Sequence, residues 1–413
     1  MSNTLDQAGL YQIRERYYNR NLISMLLEGF AFSFAIAMFS TESVLPSYLR
    51  SINNRDIYLS MISVLYYSVM YGSTIFSSII ALRARSPKWA NIWVCLLERV
   101  GFLLILISSF FTGDPHLAVI LFFVSLVLYA LSVGLAQPLF AQMMSTIFHR
   151  NIGNVIGLYG LSSAAGGVFA SLLLTRSLAR YDFPMSYQVV FLAGLLFSLV
   201  STAIVMFGVV ERIDDRVTEK IKLKDVFKLM KDILVNNPLF RKYSIIRIVT
   251  SFAEFAIPYY IISASELPVT PKGFVGIMAT IFLLAKMVSS LLFGKIGDRY
   301  GAIMILRFSC ICGLIAVILA LVMNTWPVAV LMYIFLAFAV NGVYLSTNIA
   351  AIDYSNRTRT PVYNATVSLL CAPAFIIASL AGVSLIARFS FSIVYVLAGI
   401  AYLTGMILTL KEV

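Results

Sequence analysis

A small set of ionisable and amide side chains sits inside stretches of otherwise apolar sequence: Glu28, Gln137, Gln142, Arg247, Glu254, Lys286, Asn341 and Tyr344. Groups of this kind in hydrocarbon cost a few kcal/mol each on insertion scales and mark sites or internal pairs. The chemistry open to them is reversible. A carboxylate can take up and release a proton, a cation can hold an anionic group, and amides and phenols can orient a solute. Arg247, Ser251 and Glu254 stand at i, i+4 and i+7, so they share one helical face. Pro258 follows four residues later and removes the N–H that would bond the Glu254 carbonyl, which predicts a bend beside the carboxyl. Arg247 lies about 10.5 Å down the axis at 1.5 Å per residue. Lys286, from another apolar stretch, is therefore expected to be the ionic partner of Glu254. Burial disfavours the charge on Glu254 and a nearby cation favours it, so this carboxyl is the expected coupling group, with Glu28 as its rival. The neighbours Glu98 and Arg99 are expected to face apart, with Glu98 turned toward Arg83 or Arg85. Gln137, Gln142, Asn341, Tyr344 and Asn348 have a plainer alternative as hydrogen-bonding links between helices.

Covalent chemistry is not indicated. There is no nucleotide loop or nucleophile motif, and the two histidines, His116 and His149, lack metal-ligand spacing. Cys95, Cys310, Cys312 and Cys371 all fall in apolar helical sequence, and Cys310 and Cys312 point to different sides of a helix. No enzyme activity, metal or cofactor is expected.

The elements that would hold these residues follow from composition. Of 413 residues 60% are hydrophobic and 12% charged, with a mean hydropathy of +0.90, against about 25% charged in soluble domains. Runs long enough to span a bilayer, about 20 residues, occur at roughly 21–46, 57–82, 89–112, 116–148, 152–177 and 185–210. Six more follow at roughly 243–265, 273–296, 302–324, 326–350, 361–387 and 390–410. The first run is too long for the apolar core of a cleavable signal. The fold class expected is all-α and integral to the membrane, with twelve transmembrane helices in two six-helix bundles, residues 1–210 and 243–413. Between them, residues 211–242 form a polar island with nine Lys/Arg and six Asp/Glu. Leu223, Val226, Phe227, Met230, Ile233 and Leu234 give this island one apolar helical face, and Asn236, Asn237 and Pro238 end it. It reads as a basic amphipathic helix lying on the membrane surface.

Most of the 31 Lys and Arg fall on one side of these spans if the N-terminus is cytoplasmic. Both termini and the island are then cytoplasmic in a multi-pass protein of the cell membrane. The net charge of +12 reads as a topology signal, with no nucleic-acid partner expected. Ser77–Arg83, closing the second span, resembles Ser289–Lys295, closing the eighth, as a parallel repeat of the two halves predicts.

After the eighth span comes Gly294-Lys295-Ile296-Gly297-Asp298-Arg299-Tyr300-Gly301. This resembles the loop signature of the major facilitator superfamily, Gly-x-x-x-Asp-Arg-x-Gly. The first-half counterpart, Leu82 to Lys88, lacks the acid and the glycines, and Ala302 and Ile303 stand where a basic pair is usual. Span four lacks the family's Arg followed by Gln-Gly. In span five, Ser162-Ser163 stand where proton-coupled drug antiporters carry Gly-Pro, among the glycines Gly157, Gly160, Gly166 and Gly167 that permit close helix packing. The resemblance implies that spans one, four, seven and ten surround a central cavity, which directs Glu28, Gln137, Glu254 and Asn341 toward it. It also implies a gating latch built from Gly294, Asp298, Arg299 and Gly301. Asp298 would meet the start of span eleven, where Thr360 reads as an N-cap and Pro361 as the first helical residue, near Arg357 and Arg359. The function implied is secondary transport of a small organic solute by alternating access, coupled to protons, in a monomer surrounded by membrane lipids. The alternatives are a non-transporting sensor or assembly partner on the same fold, and an exporter of amphipathic compounds or lipids.

The topology has a direct test. A cysteine introduced at Lys224 in the island should resist membrane-impermeant thiol reagents in intact cells and react after permeabilisation. Ready labelling from outside would reverse the orientation.

Overall fold

With no water in hydrocarbon to bond to, a spanning backbone must satisfy itself as helix. The computed structural model describes residues 2–53, 55–148, 152–211, 223–271, 273–355, 360–386 and 390–410, which contain no strand. Eleven helices among the described residues are long and apolar enough to cross a membrane, and the remaining predicted span contains the shorter apolar helix Val362–Ala378. The protein is a multi-pass membrane protein with twelve transmembrane helices in two six-helix bundles. Its first half holds α1 (Ser2–Met38), α2 (Val44–Ile52), α3 (Asp56–Arg83), α4 (Pro87–Ser108), α5 (Pro115–Ile147), α6 (Ile152–Arg180) and α7 (Met185–Ala203). The second half holds α8 (Leu223–Asn236), α9 (Pro238–Ser251), α10 (Ile257–Ser265), α11 (Phe274–Leu321), α12 (Trp326–Asp353), α13 (Thr360–Ile386) and α14 (Phe391–Leu410).

Three spans start with the same local chemistry. Ser86, Asp114 and Asn237 each accept backbone N–H bonds at the helix start, and each precedes a proline at the first helical position. In the first half, α1 packs on α6 and α7, α4 on α5 and α7, and α3 on α5. In the second, α11 packs on α12 and α14, and α9 on α13 and α14. The halves meet where α3 lies against α13 and α6 against α11.

The first span departs from expectation. Its helix ends at Met38 instead of running to residue 46, and α2 restarts at Val44. The cause is local: Ser40 Oγ donates to Glu42 Oε2 at 2.9 Å and accepts from the Glu42 backbone N–H at 3.2 Å, and Ser43 Oγ lies 3.0 Å from Ser40 Oγ. Such side-chain bonds compete with the helical ladder. Span seven is also interrupted. α9 stops at Ser251, a 3-10 turn covers Glu254–Ala256, and α10 restarts at Ile257 with Pro258 in its first turn. The predicted bend is present, one turn earlier than the proline.

α8 does not lie free on a surface. Val226, Met230 and Ile233 are buried in a cluster with Phe240, Ile75 and Val362, so the helix docks on α3, α9 and α13. An amphipathic helix needs an apolar partner, and the ends of the spans supply it; Leu223 and Phe227 stay exposed. The start of the linker is pinned as well. Lys88 Nζ donates to the carbonyls of Met206 and Val209 at 2.8 and 2.7 Å, and Arg20 to those of Phe207 and Gly208 at 2.8 and 2.9 Å. Arg307 donates to the Thr409 carbonyl at the end of α14.

Gly166 shows what close packing of α1 on α6 requires. A Cβ there would stand 2.1 Å from the Phe30 carbonyl oxygen on α1, whereas one at Gly160 would meet nothing within 4 Å. Beside it, Ser162 Oγ bonds the Leu26 carbonyl at 2.6 Å. Gly166→Ala should therefore lower the thermal unfolding midpoint of purified protein, at an overpacking penalty of about 1–3 kcal/mol or more. Gly160→Ala should leave the midpoint unchanged or slightly raised. Equal midpoints for the two variants would contradict this packing.

Candidate functional site

The break in span seven brings a carboxylate and a guanidinium together. Arg247 lies one turn before the end of α9 and Glu254 opens the 3-10 turn, and Nη2 of the arginine lies 2.6 Å from Oε1 of the glutamate. Both are buried, at 3% and 7% exposure. Lys286, the partner expected from spacing, is elsewhere. Its ammonium lies over the Phe282 ring at 5.0 Å and 4.0 Å from Glu42 Oε1. A rise of 1.5 Å per residue holds only while the helix continues. Once the backbone turns at 252–256, the long arginine side chain can reach back to the carboxylate.

The Arg247–Glu254 pair is tied to the other half of the molecule through one phenol. Tyr71 on α3 accepts from Arg247 Nη2 at 3.1 Å and donates to Glu254 Oε2 at 3.4 Å. Arg247 Nε also donates to Thr347 Oγ1 on α12 at 3.3 Å. Tyr71 is held in turn by Phe375 of α13, with ring centroids 5.2 Å apart, and Tyr67 stacks on the same ring at 4.5 Å. Glu42 and Lys286 make a second, looser contact between the halves. At the end of the molecule away from the linker, Arg50 meets Glu266 at 3.0 Å in a partly exposed pair.

Glu42, Tyr71, Arg247, Glu254, Lys286 and Thr347 line a central cavity of about 310 Å³. Six of the sequence-predicted residues open onto it: Gln137, Arg247, Glu254, Lys286, Asn341 and Tyr344. Asn341 is heavily committed already, its amide donating to Ser289 Oγ and Ser290 Oγ at 2.8 Å and to the Lys286 carbonyl at 3.2 Å. It fixes α12 against α11 and presents only its remaining surface. Asn348, in the same wall, accepts from Asn364 at 3.3 Å.

Two expected residues are elsewhere. Gln142 donates to the Ala81 carbonyl at 3.0 Å, a link from α5 to α3 outside the central cavity. Glu28 faces a second, adjoining chamber of about 340 Å³ lined mostly by first-half residues, where Ser201 Oγ donates to it at 3.1 Å. Glu98 and Arg99, expected to face apart, form a buried ion pair lining that chamber. The arginine is long enough to cover the roughly 100° between adjacent helical positions, and Ser198 and Cys95 carbonyls hold it in place.

Glu42 escaped the sequence reading, although an acid inside the predicted run 21–46 was the signal that could have found it. Tyr66, Tyr67 and Tyr71 were hidden among the 22 tyrosines of the chain. Of the latch residues, Gly301 adopts φ 76°, ψ −179° and breaks α11 into two spans, the left-handed turn for which glycine is suited. Gly294 lies in the last turns before that break, and Arg299 is exposed with its guanidinium 5.3 Å from the Tyr300 ring. The side chains of Asp298, Thr360 and Pro361, and residues Arg357 and Arg359, lie outside the described residues. Among the described residues, no group of three or more His, Cys, Asp or Glu could hold a metal ion.

Residues 269–412 match the profile of the Major Facilitator Superfamily. No curated protein matches the chain in sequence. In structure the chain is similar to a variant of the nucleoside transporter NupG, with TM-score 0.71 and 12% identity, covering 94% of this chain and 99% of that one. It is equally similar to the POT family transporter PepTSo, with TM-score 0.71, 14% identity and coverage of 95% and 97%. The xylose transporter XylE from E. coli superimposes with TM-score 0.69 at 12% identity, covering 96% and 98%.

Removing one member of a buried ion pair strands the other charge, at about 3–5 kcal/mol, whereas replacing both with apolar groups is often neutral. Arg247→Met should thus lower the thermal unfolding midpoint sharply, and Arg247→Met with Glu254→Leu should restore most of it. A double variant as unstable as the sum of the two singles would show that the charges do not stabilise each other.

Proposed function

We propose that this chain is a secondary transporter of the Major Facilitator Superfamily, whose profile residues 269–412 match, and that it carries a small organic solute through the central cavity by alternating access. Residues 1–210 and 243–413 would rock as two bundles joined by the linker at 211–242, in the cell membrane with both termini cytoplasmic. One observation carries the reading. Arg247 and Glu254 are buried, paired at 2.6 Å and joined to the opposite half by a single Tyr71 hydroxyl. A proton on Glu254 removes the counter-charge of Arg247, so the guanidinium becomes available to an anionic or strongly polar part of a solute. The same step weakens the contact with Tyr71 and hence the hold of α3 on the second half. Loading of the cavity and the balance between gate states are coupled through one carboxyl. Lys286 and Glu42 would serve as a second, more easily parted contact across the halves. Asp298, at the start of the span after the eighth, would latch the cytoplasmic gate, and the glycine turn at Gly301 would allow the loop to sit there.

The similar structures are a nucleoside transporter, a POT family transporter and a xylose transporter, so labelled nucleosides, dipeptides and xylose are suitable first solutes. In proteoliposomes with an imposed proton gradient, the unmodified chain should accumulate one of these classes. Glu254→Gln should abolish accumulation and keep solute exchange. If Glu254→Gln still accumulates and Glu28→Gln does not, the coupling role belongs to Glu28. Absence of flux for every solute with the unmodified chain would favour a sensor or assembly partner on the same fold.

A further inference from the structure

The first-half chamber contains more acid than its own bases can balance. Glu28 and Glu98 are 5% and 2% exposed, Arg99 5%, and all three line the same space of about 340 Å³. With the three ionised, the chamber carries a net charge of −1. The arginine has no reach left over. Its Nε and Nη2 donate to the Ser198 carbonyl at 3.2 and 3.1 Å, and Nη1 to the Cys95 carbonyl at 3.1 Å and to Glu98 Oε2. Glu28 is met by the hydroxyls of Ser201 and Tyr159, yet each carboxylate keeps one buried oxygen, Oε2 of Glu28 and Oε1 of Glu98, that no donor meets in good hydrogen-bond geometry. Unmatched carboxylate oxygen at this depth is expensive unless a cationic or donor group visits it.

The rest of the wall suggests what that visitor is. Tyr129, Phe140 and Tyr159 present aromatic surface to the same space, and ring faces attract a cation within about 6 Å. A volume of about 340 Å³ corresponds to on the order of ten waters at about 30 Å³ each. That is more room than a proton needs, and it falls in the range of small-molecule sites. A metal ion would call for several converging oxygen ligands, and the described residues supply no such set.

We propose that this chamber, bounded by Glu28, Glu98 and aromatic side chains, is a second binding site that takes an organic monocation, an amine or quaternary ammonium with an apolar body. Its charge sits against the free oxygens of Glu28 and Glu98, and its body packs on Tyr129, Phe140 and Tyr159. The chamber adjoins the central cavity across Tyr66, Val133, Gln137 and Tyr344, which line both spaces. The site is independent of whether Glu254 couples transport.

Benzyltrimethylammonium is a suitable probe and benzylsulfonate its oppositely charged control. Calorimetry on the purified full chain should show saturable binding of the cation and none of the anion. Glu28→Gln should weaken the cation at least tenfold. Glu266→Gln, which removes a half-exposed carboxylate at the end away from the linker, should leave binding unchanged. The unmodified chain carries its own reporters, since Cys95 lines the chamber and Cys371 the central cavity. Bound cation should slow alkylation of Cys95 by N-ethylmaleimide and leave that of Cys371 alone, a readout that stands even if Glu28→Gln fails to fold. No saturable binding of the cation would overturn the proposal. So would full affinity in Glu28→Gln, or protection of Cys371 in place of Cys95.

Discussion

Hydrocarbon offers no hydrogen-bond partners, so every interruption of a helix in this protein must find its donors and acceptors within the chain. The structure meets that demand at each place. Ser40, Glu42 and Ser43 bond one another where α1 ends. Lys88 and Arg20 take the carbonyls left open after α7. Asn237 caps α9 as the linker helix finishes. These interruptions also make room for function, because the two regions of broken helix next to the central cavity, 39–43 and 252–256, deliver Glu42 and Glu254 to it.

The same low dielectric governs the charges. A buried ion must be paired or neutralised, and the buried arginines Arg99 and Arg247 each have an acid against them. The two pairs differ in what else they touch. Glu98–Arg99 is held by carbonyls of its own bundle and closes no contact to the other half. Arg247–Glu254 is held by Tyr71, which belongs to the opposite half, so a change in its protonation is felt across the interface. A structural pair and a switchable pair can therefore be told apart by their third partner.

Much of the site is legible in the amino-acid sequence. An acid, a base and a proline spaced along one apolar stretch identify Arg247, Glu254 and the bend beside them, since charge in hydrocarbon is too costly to be incidental. Gln137, Lys286, Asn341 and Tyr344 also reach the cavity. The partners are not legible there. Spacing along an ideal helix holds Arg247 away from Glu254, which leaves Lys286 as the expected partner, and sets Glu98 apart from Arg99; both expectations fail. Side-chain reach and local helix breaks change distances by several ångströms, and neither is carried by residue periodicity.

The sequence alone pointed to a membrane protein of twelve spans, because the length of an apolar run answers directly to the thickness of the bilayer. It also determined which residues had to be accounted for. The tertiary structure decided which of them meet. It placed Glu28 in the adjoining chamber, drew Glu42 into the central cavity, and docked the linker helix on α3, α9 and α13. Those outcomes depend on how separate helices cross and where each one breaks. That is settled by contacts between residues far apart in the chain, such as Tyr71 with Arg247, and by the cost of leaving a buried charge or an open carbonyl without a partner.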